Sequence, residues 1–192
     1  MCLFGSWLAS RPPDAAIEVT PDRLSAAVGA ARDGRFTVTP HATDPLPAGA
    51  VVPSFTSVNL TDGEAAAAAM RRLIDRLPSR PKRVALVLPD SAAKVSLVRF
   101  DQIPSKRDDL DQLIRWQVRK SLPFPAEDAV VTYSPGLAVA HAGREYLVVA
   151  ARRTIVGEYE ALCDAAGAQP GLVDLSTLSL LNMFLASRSA PT

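Results

Sequence analysis

The chain has 192 residues, 48% of them hydrophobic, which is enough for one domain or two small ones with a packed core and excludes general disorder. Its 21 basic and 20 acidic residues nearly cancel, so no overall field draws it to nucleic acid. The two cysteines, Cys2 and Cys163, are too few and too far apart for a disulfide framework or a zinc site, which fits a reducing cytoplasm.

The first half of the chain predicts a small sheet with one helix. Residues 1–13 are apolar but lack the basic start and cleavage site of a signal peptide. The next residues predict strands at 15–19, 24–31 and 35–43. Prolines between residues 40 and 60 indicate a long surface loop. A capping box at Thr61 and Glu64 opens an alanine-rich helix to residue 77, and a buried strand follows at 84–88.

The second half predicts a helix between strands. Strands are expected at 95–100, 129–133 and 145–151, and the helix lies in the proline-bounded stretch 103–125. A third helix at about 155–166, a short strand at 172–173 and a final helix from Leu175 complete the prediction. No stretch reaches the roughly 18–20 apolar residues of a membrane span.

The helix in 103–125 is amphipathic and organises this half. Ser105 is its predicted N-cap, and one face carries Leu110, Leu113, Ile114, Gln117 and Val118. Because a helix of this length is marginal alone, it must dock on the sheet formed by its neighbouring strands. Trp116, about 60° from Leu113, is expected half-buried at the edge of this face, with an exposed partner anchor as the alternative.

The chemical inventory favours a binding protein. The sequence has no nucleophile elbow, zinc-protease motif, Walker A loop or dinucleotide-binding glycine motif, so we predict no catalytic, metal or cofactor-binding residues. The segment Pro123, Phe124 and Pro125 is stiff and holds its ring in a fixed direction, which suits either core closure or the wall of a groove.

Several blocks of sequence resemble the PilM-type assembly proteins of type IV pili, actin-like relatives of the cell-division protein FtsA. These blocks are LVRFDQIP at 97–104, DLDQLIRWQVRKSLPFP at 109–125, YLVVAARRTIVGEYE at 146–160 and GLVDLSTLSLLN at 171–182. They occur in the order of the family and at fitting intervals.

The resemblance implies an α/β chain with a partial actin-like, ribonuclease-H-like subdomain at 14–92 and 168–192. A strand-helix-strand-strand module would be inserted at 93–167, and the second half of the actin-like fold would be missing. It implies a cytoplasmic scaffold whose groove holds the N-terminal cytoplasmic peptide of the inner-membrane protein PilN. Contact with other pilus platform components and a homo-oligomer or ring are compatible with it, and membrane association would be indirect, with no nucleic acid bound.

This sequence differs from the PilM-type family in two features that affect nucleotide binding. Full-length relatives bind ATP, with magnesium, between the halves of the actin-like fold. Here the turn around Pro21 has no glycine, and proline removes an amide donor that could face a phosphate. The chain also stops soon after the helix near Ser176, so a complete nucleotide site is not expected from it alone.

Our first hypothesis is therefore a non-catalytic pilus scaffold. We predict its peptide contacts at residues that offer a charged, aromatic and rigid edge: Arg115, Trp116, Pro123, Phe124 and Pro125. The alternatives are an actin-like ATPase completed by a missing C-terminal half, and a GspL-like platform protein of type II secretion.

Overall fold

The structure is a computed structural model that describes residues 13, 15–32, 35–77, 80–138 and 143–188. The predicted segment 1–13 therefore lies outside the described residues, apart from Pro13. The strands are β1 Ala15–Val19, β2 Arg23–Arg32, β3 Arg35–Pro45, β4 Arg83–Leu88, β5 Ala93–Phe100, β6 Ala129–Ala138, β7 Arg144–Arg152 and β8 Gln169–Leu175. The helices are α1 Gly63–Asp75, α2 Arg107–Arg119, α3 Arg153–Asp164 and α4 Ser176–Arg188, with short 3₁₀ turns at Asp90–Ala92 and Ala126–Asp128.

The larger sheet has five strands in the order β3-β2-β1-β4-β8. β1 pairs antiparallel with β2 and parallel with β4, and β4 pairs parallel with β8. In β1 the side chains of Ala15, Ile17 and Val19 are buried and those between them are half-buried. The alternation shows that α1 and α3 pack on one face of the sheet, and the other face is more open.

The smaller sheet has three antiparallel strands in the order β5-β7-β6, and α2 packs on one of its faces. Ile114 and Val118 of α2 are buried there against Val98, Tyr146 and Val148. Leu110 contributes at the edge of the same cluster. The predicted docking of this helix on a sheet is confirmed.

The two sheets meet at α3. The residue range 93–167 was predicted as one inserted module, yet α3 buries its side chains in the larger core with α1: Ile155, Tyr159, Leu162 and Cys163. The packing therefore places α3 with the five-stranded sheet, because its apolar stripe faces that sheet. As a division of the chain into domains, the predicted boundaries stay a prediction.

Both predicted helix caps are wrong. The N-cap of α1 is Asp62, whose carboxylate accepts from the Ala65 amide at 3.0 Å. The Thr61 hydroxyl instead donates to the carbonyls of Gly49 and Ala50 and ties the preceding loop to the helix. α2 begins after Lys106, without a side-chain cap, so Ser105 lies outside the helix.

Candidate functional site

An apolar groove lies where the two sheets face each other. It encloses about 100 Å³ and is lined from both sheets, α3 and α4. Its walls include Leu88, Val130, Val149, Ala151, Val156, Val173 and Leu178. The charged lining residue is Asp174, so the groove suits a hydrophobic ligand.

Strand register explains why these side chains meet. Ala151 of β7 lies opposite Ala93 of β5 and Val130 of β6, and Val149 lies opposite Val95 and Thr132. Directly opposed residues share a face, and this face is the one away from α2. The face continues past the groove at Leu97, whose side chain is 69% exposed.

The opposite wall is fixed by hydrogen bonds at the start of α4. The Asp174 carboxylate accepts from the Leu175 amide at 2.8 Å and from the Ser179 hydroxyl at 3.0 Å. The hydroxyl of Ser176 lies 3.1 Å from the Glu18 carboxylate, to which it donates. Because its carboxylate already accepts two bonds within the chain, Asp174 stabilises the wall.

Residues 51–60, which we call the junction loop, contact α3 and the end of β7. Its ends pair through Val51 and Leu60, and the buried side chain of Asn59 organises its interior. The Glu158 carboxylate accepts from the amides of Asn59 and Leu60 at 2.7 and 3.1 Å. The Tyr159 hydroxyl donates to the Asn59 side-chain carbonyl at 2.9 Å, so α3 holds the loop through two adjacent residues.

The tip of the junction loop reaches the smaller sheet. The rings of Phe55 and Phe124 lie with their centroids 5.0 Å apart. The Arg152 guanidinium donates to the Thr56 carbonyl at 3.0 Å and lies 5.6 Å from the Phe124 ring centroid. These contacts join the junction loop to Phe124 and to Arg152 at the end of β7.

The structure separates the five residues predicted to bind a partner. Arg115 and Trp116 lie on the outer face of α2, where Trp116 is 57% exposed rather than half-buried. Pro123 and Pro125 are exposed and flank Phe124, which is half-buried at the junction loop. These residues do not form one surface with the groove, and their role in binding stays a prediction.

The family resemblance implied a groove, but the sequence did not identify the residues that line this one. A signal was present in β7, where the run Tyr146, Leu147, Val148 and Val149 is apolar on both faces. An antiparallel strand with one face in water would alternate with polar residues, so this run indicates cover on both sides. The partners on the second side come from distant parts of the chain, which no local pattern identifies.

The open face of the larger sheet carries a second, more polar depression of about 440 Å³, lined in part by Glu18, Arg23 and His41. At its edge, the hydrogen-bond donors of the β1–β2 turn are occupied by acceptors in the same turn. The Thr20 amide bonds to the Arg23 carbonyl at 3.0 Å, and the Thr20 hydroxyl donates to the Asp22 carboxylate at 2.8 Å. The hydrogen bond from Thr20 lowers the pKa of Asp22, so this turn presents an ionised carboxylate.

Within the described ranges, no cluster of three or more His, Cys, Asp or Glu residues is placed to hold a metal ion. None of the helices in the described part of the chain has the length and apolar character needed to cross a membrane.

A family model and a solved structure both relate this chain to PilM. The family model for type IV pilus assembly protein PilM matches residues 23–189. A solved structure of a PilM–PilN type IV pilus biogenesis complex matches with a TM-score of 0.78 and 19% identity, covering 93% of this chain and 52% of that one. The chain thus spans about half the length of that relative, and a partial actin-like fold, as predicted, is confirmed.

A weaker match is the cytoplasmic domain of EpsL, an inner-membrane component of the type II secretion system of Vibrio cholerae. It has a TM-score of 0.55 and 12% identity, covering 86% of this chain and 58% of that one. At this identity the likeness concerns the fold alone.

Proposed function

Since this chain belongs to the type IV pilus assembly protein PilM family, we propose that it is a non-catalytic scaffold of pilus assembly. In this proposal it binds the N-terminal cytoplasmic peptide of a PilN-like inner-membrane protein. The binding site is the apolar groove between the two sheets. The observation that carries the proposal is this apolar groove, which is lined from both sheets.

The apolar lining of the groove suits an apolar side chain of a short extended peptide. β5 is an outer strand of the smaller sheet, so its outward backbone groups are available for strand addition. Val95 and Leu97 of this strand are exposed and extend the apolar face of the groove to the surface. Main-chain bonds to β5 would then supply affinity, and the groove would select alternate side chains.

A scaffold role without catalysis is supported by the β1–β2 turn. A phosphate site needs free amides and positive potential, whereas this turn has Pro21, internally bonded amides and the ionised Asp22. Measurable heat of Mg-ATP binding to the purified chain would contradict this part of the proposal. A partner peptide from the inner membrane would also place the protein at that membrane through its partner.

The peptide proposal is tested by fluorescence polarisation with the labelled N-terminal cytoplasmic peptide of the PilN-like protein encoded beside this gene. Thr132 lines the groove and is exposed, so Thr132→Arg should fill the site with little effect on folding. We expect the Kd to rise by about tenfold or more, the equivalent of about 1.4 kcal/mol.

Thr43→Arg is the matched control, since Thr43 is an exposed strand residue on the open face of the larger sheet. Its Kd should stay within about twofold of the unchanged chain. Absence of binding at high micromolar peptide, or equal losses in both variants, would refute the groove as the site.

A further inference from the structure

The outer face of α2 carries an exposed aromatic side chain. The helix packs on the smaller sheet through Ile114 and Val118, and residue 116 lies about 200° round the helix from each. Trp116 therefore points to solvent and is 57% exposed. Tryptophan is among the more buried residues on average and is enriched at protein interfaces, so its position here marks an interaction surface.

Three cations lie within four residues of Trp116 on the same helix end. Arg115, Arg119 and Lys120 are all exposed, and the Lys120 ammonium lies 3.9 Å from the Trp116 ring centroid. Among the residues that the structure describes, none of these three cations forms a salt bridge. We call Arg115, Trp116, Arg119 and Lys120 the basic patch.

The charge around the basic patch is one-sided. Lys94 adds a fourth cation at this end of α2, where its ammonium donates to the Ser121 carbonyl at 2.9 Å. The first turn of the same helix carries the exposed Asp108 and Asp109. Lys106 and Arg107 balance these two carboxylates at the start of the helix, so the excess of positive charge lies in its second half.

We propose that the basic patch is a docking surface for an acidic protein segment that places an apolar or aromatic side chain against Trp116. Charge complementarity identifies the sign of the partner, and the exposed ring provides the apolar anchor. An anionic membrane suits the surface less well. A flat membrane would also meet the carboxylates of Asp108 and Asp109, which lie about 10 Å along the helix from the nearest residue of the basic patch, close to the screening length.

The basic patch is separate from the groove. α2 covers the face of the smaller sheet that contains Tyr146 and Val148, whereas Val149 and Ala151 face the groove. Successive strand residues point to opposite faces, so both ligands could be held at once. The surface would therefore join a second protein to the one proposed for the groove.

The test uses a short fluorescein-labelled peptide that alternates glutamate and leucine, with its glutamine counterpart as the control ligand. We expect the acidic peptide to bind and the glutamine peptide to bind at least about tenfold more weakly, with affinity falling as salt rises. The chain has two tryptophans, so a Trp7→Phe background lets Trp116 fluorescence report directly on contact with the ring.

Arg115→Glu with Arg119→Glu should weaken acidic-peptide binding by about tenfold or more, and Trp116→Ala should weaken it by several-fold. Should charge reversal disturb folding, Arg115→Gln with Arg119→Gln removes the charges more gently and should still weaken binding. The matched control, Arg71→Glu with Lys82→Glu, makes the same net-charge change at exposed residues elsewhere and should leave Kd within about twofold.

Equal binding of the glutamate and glutamine peptides would overturn the proposal, as would equal losses in the patch and control variants. Tighter binding to phosphatidylserine vesicles than to the peptide, abolished by patch variants, would replace it with a membrane site. Self-association abolished by the same variants would replace it with a contact between copies of this chain. Thr132→Arg should leave binding of the glutamate peptide unchanged, because the groove lies on the other side of the sheet.

Discussion

The contact between Phe55 and Phe124 gives a quantitative test of how the junction loop is held against the segment before β6. Both rings are half-buried, so each change to alanine should cost less than the roughly 3–5 kcal/mol of a fully buried Phe; we expect about 1.5–2.5 kcal/mol. Phe124→Ala should cost more than Phe55→Ala, because it also removes the contact with the Arg152 guanidinium, worth about 0.5–1 kcal/mol.

The double variant isolates the contact itself. With ring centroids 5.0 Å apart, the pair should show a coupling free energy of about 0.5–1.5 kcal/mol in urea unfolding followed by circular dichroism. Trp116→Ala, a change at an exposed aromatic, should stay within about 0.5 kcal/mol of the unchanged chain. Costs for Phe55 and Phe124 that add to within about 0.3 kcal/mol would refute the junction as a cooperative contact.

Two further predictions concern buried polar groups. Asp44 is 1% exposed and pairs with the half-exposed Arg72 and Arg76 at 2.7 and 2.8 Å. Asp44→Asn leaves both guanidinium groups accessible to water, so it should lower the free energy of unfolding by about 1.5–3 kcal/mol. Asp75→Asn, which breaks an exposed pair with Arg80 at a similar 2.7 Å, should cost less than about 1 kcal/mol, and equal costs would contradict the burial argument. Burial and the hydrogen bond to Asp111 raise the pKa of Tyr133 to about 12 from an ordinary value of 10.0. The folded chain thus keeps this phenol protonated to higher pH than the unfolded chain does. The stability that the protonated phenol contributes should therefore be lost as pH rises from about 10 to 12. Tyr133→Phe should flatten the fall of unfolding free energy over that range, and an unchanged slope would count against the assignment.

Much of the fold could be predicted because its elements are marked locally. The apolar spacing of α2 identifies both the helix and its buried side, and the structure places Ile114 and Val118 there. Caps are less reliable from sequence. Thr61 and Asp62 are both good capping residues, and the choice between them depends on the carbonyls of Gly49 and Ala50, which occupy the Thr61 hydroxyl.

The candidate site was harder to predict because its contacts join distant segments. Two flanking prolines indicate that the Phe124 ring is held rigidly, but they do not identify Phe55, which lies in a proline-rich loop far back in the chain. Likewise, the angle of about 60° that favoured a half-buried Trp116 was measured from Leu113, which is not one of the fully buried residues of α2. The residues that α2 buries are Ile114 and Val118, and Trp116 lies about 200° round the helix from each, on the side away from the sheet.

In our two proposals the smaller sheet serves two partners, because β7 is apolar on both faces and central in its sheet. On one face Tyr146 and Val148 anchor α2, which turns the basic patch outward, and on the other Val149 and Ala151 form the groove. A central strand paired on both sides is stiff, so a peptide in the groove would not shift α2 unless it moved the whole sheet. Movement of the whole sheet is opposed at one end by the contact of Phe55 with Phe124 and by the bond from Arg152 to Thr56. The two sites should therefore bind independently in the intact chain, and any coupling between them should depend on the junction loop.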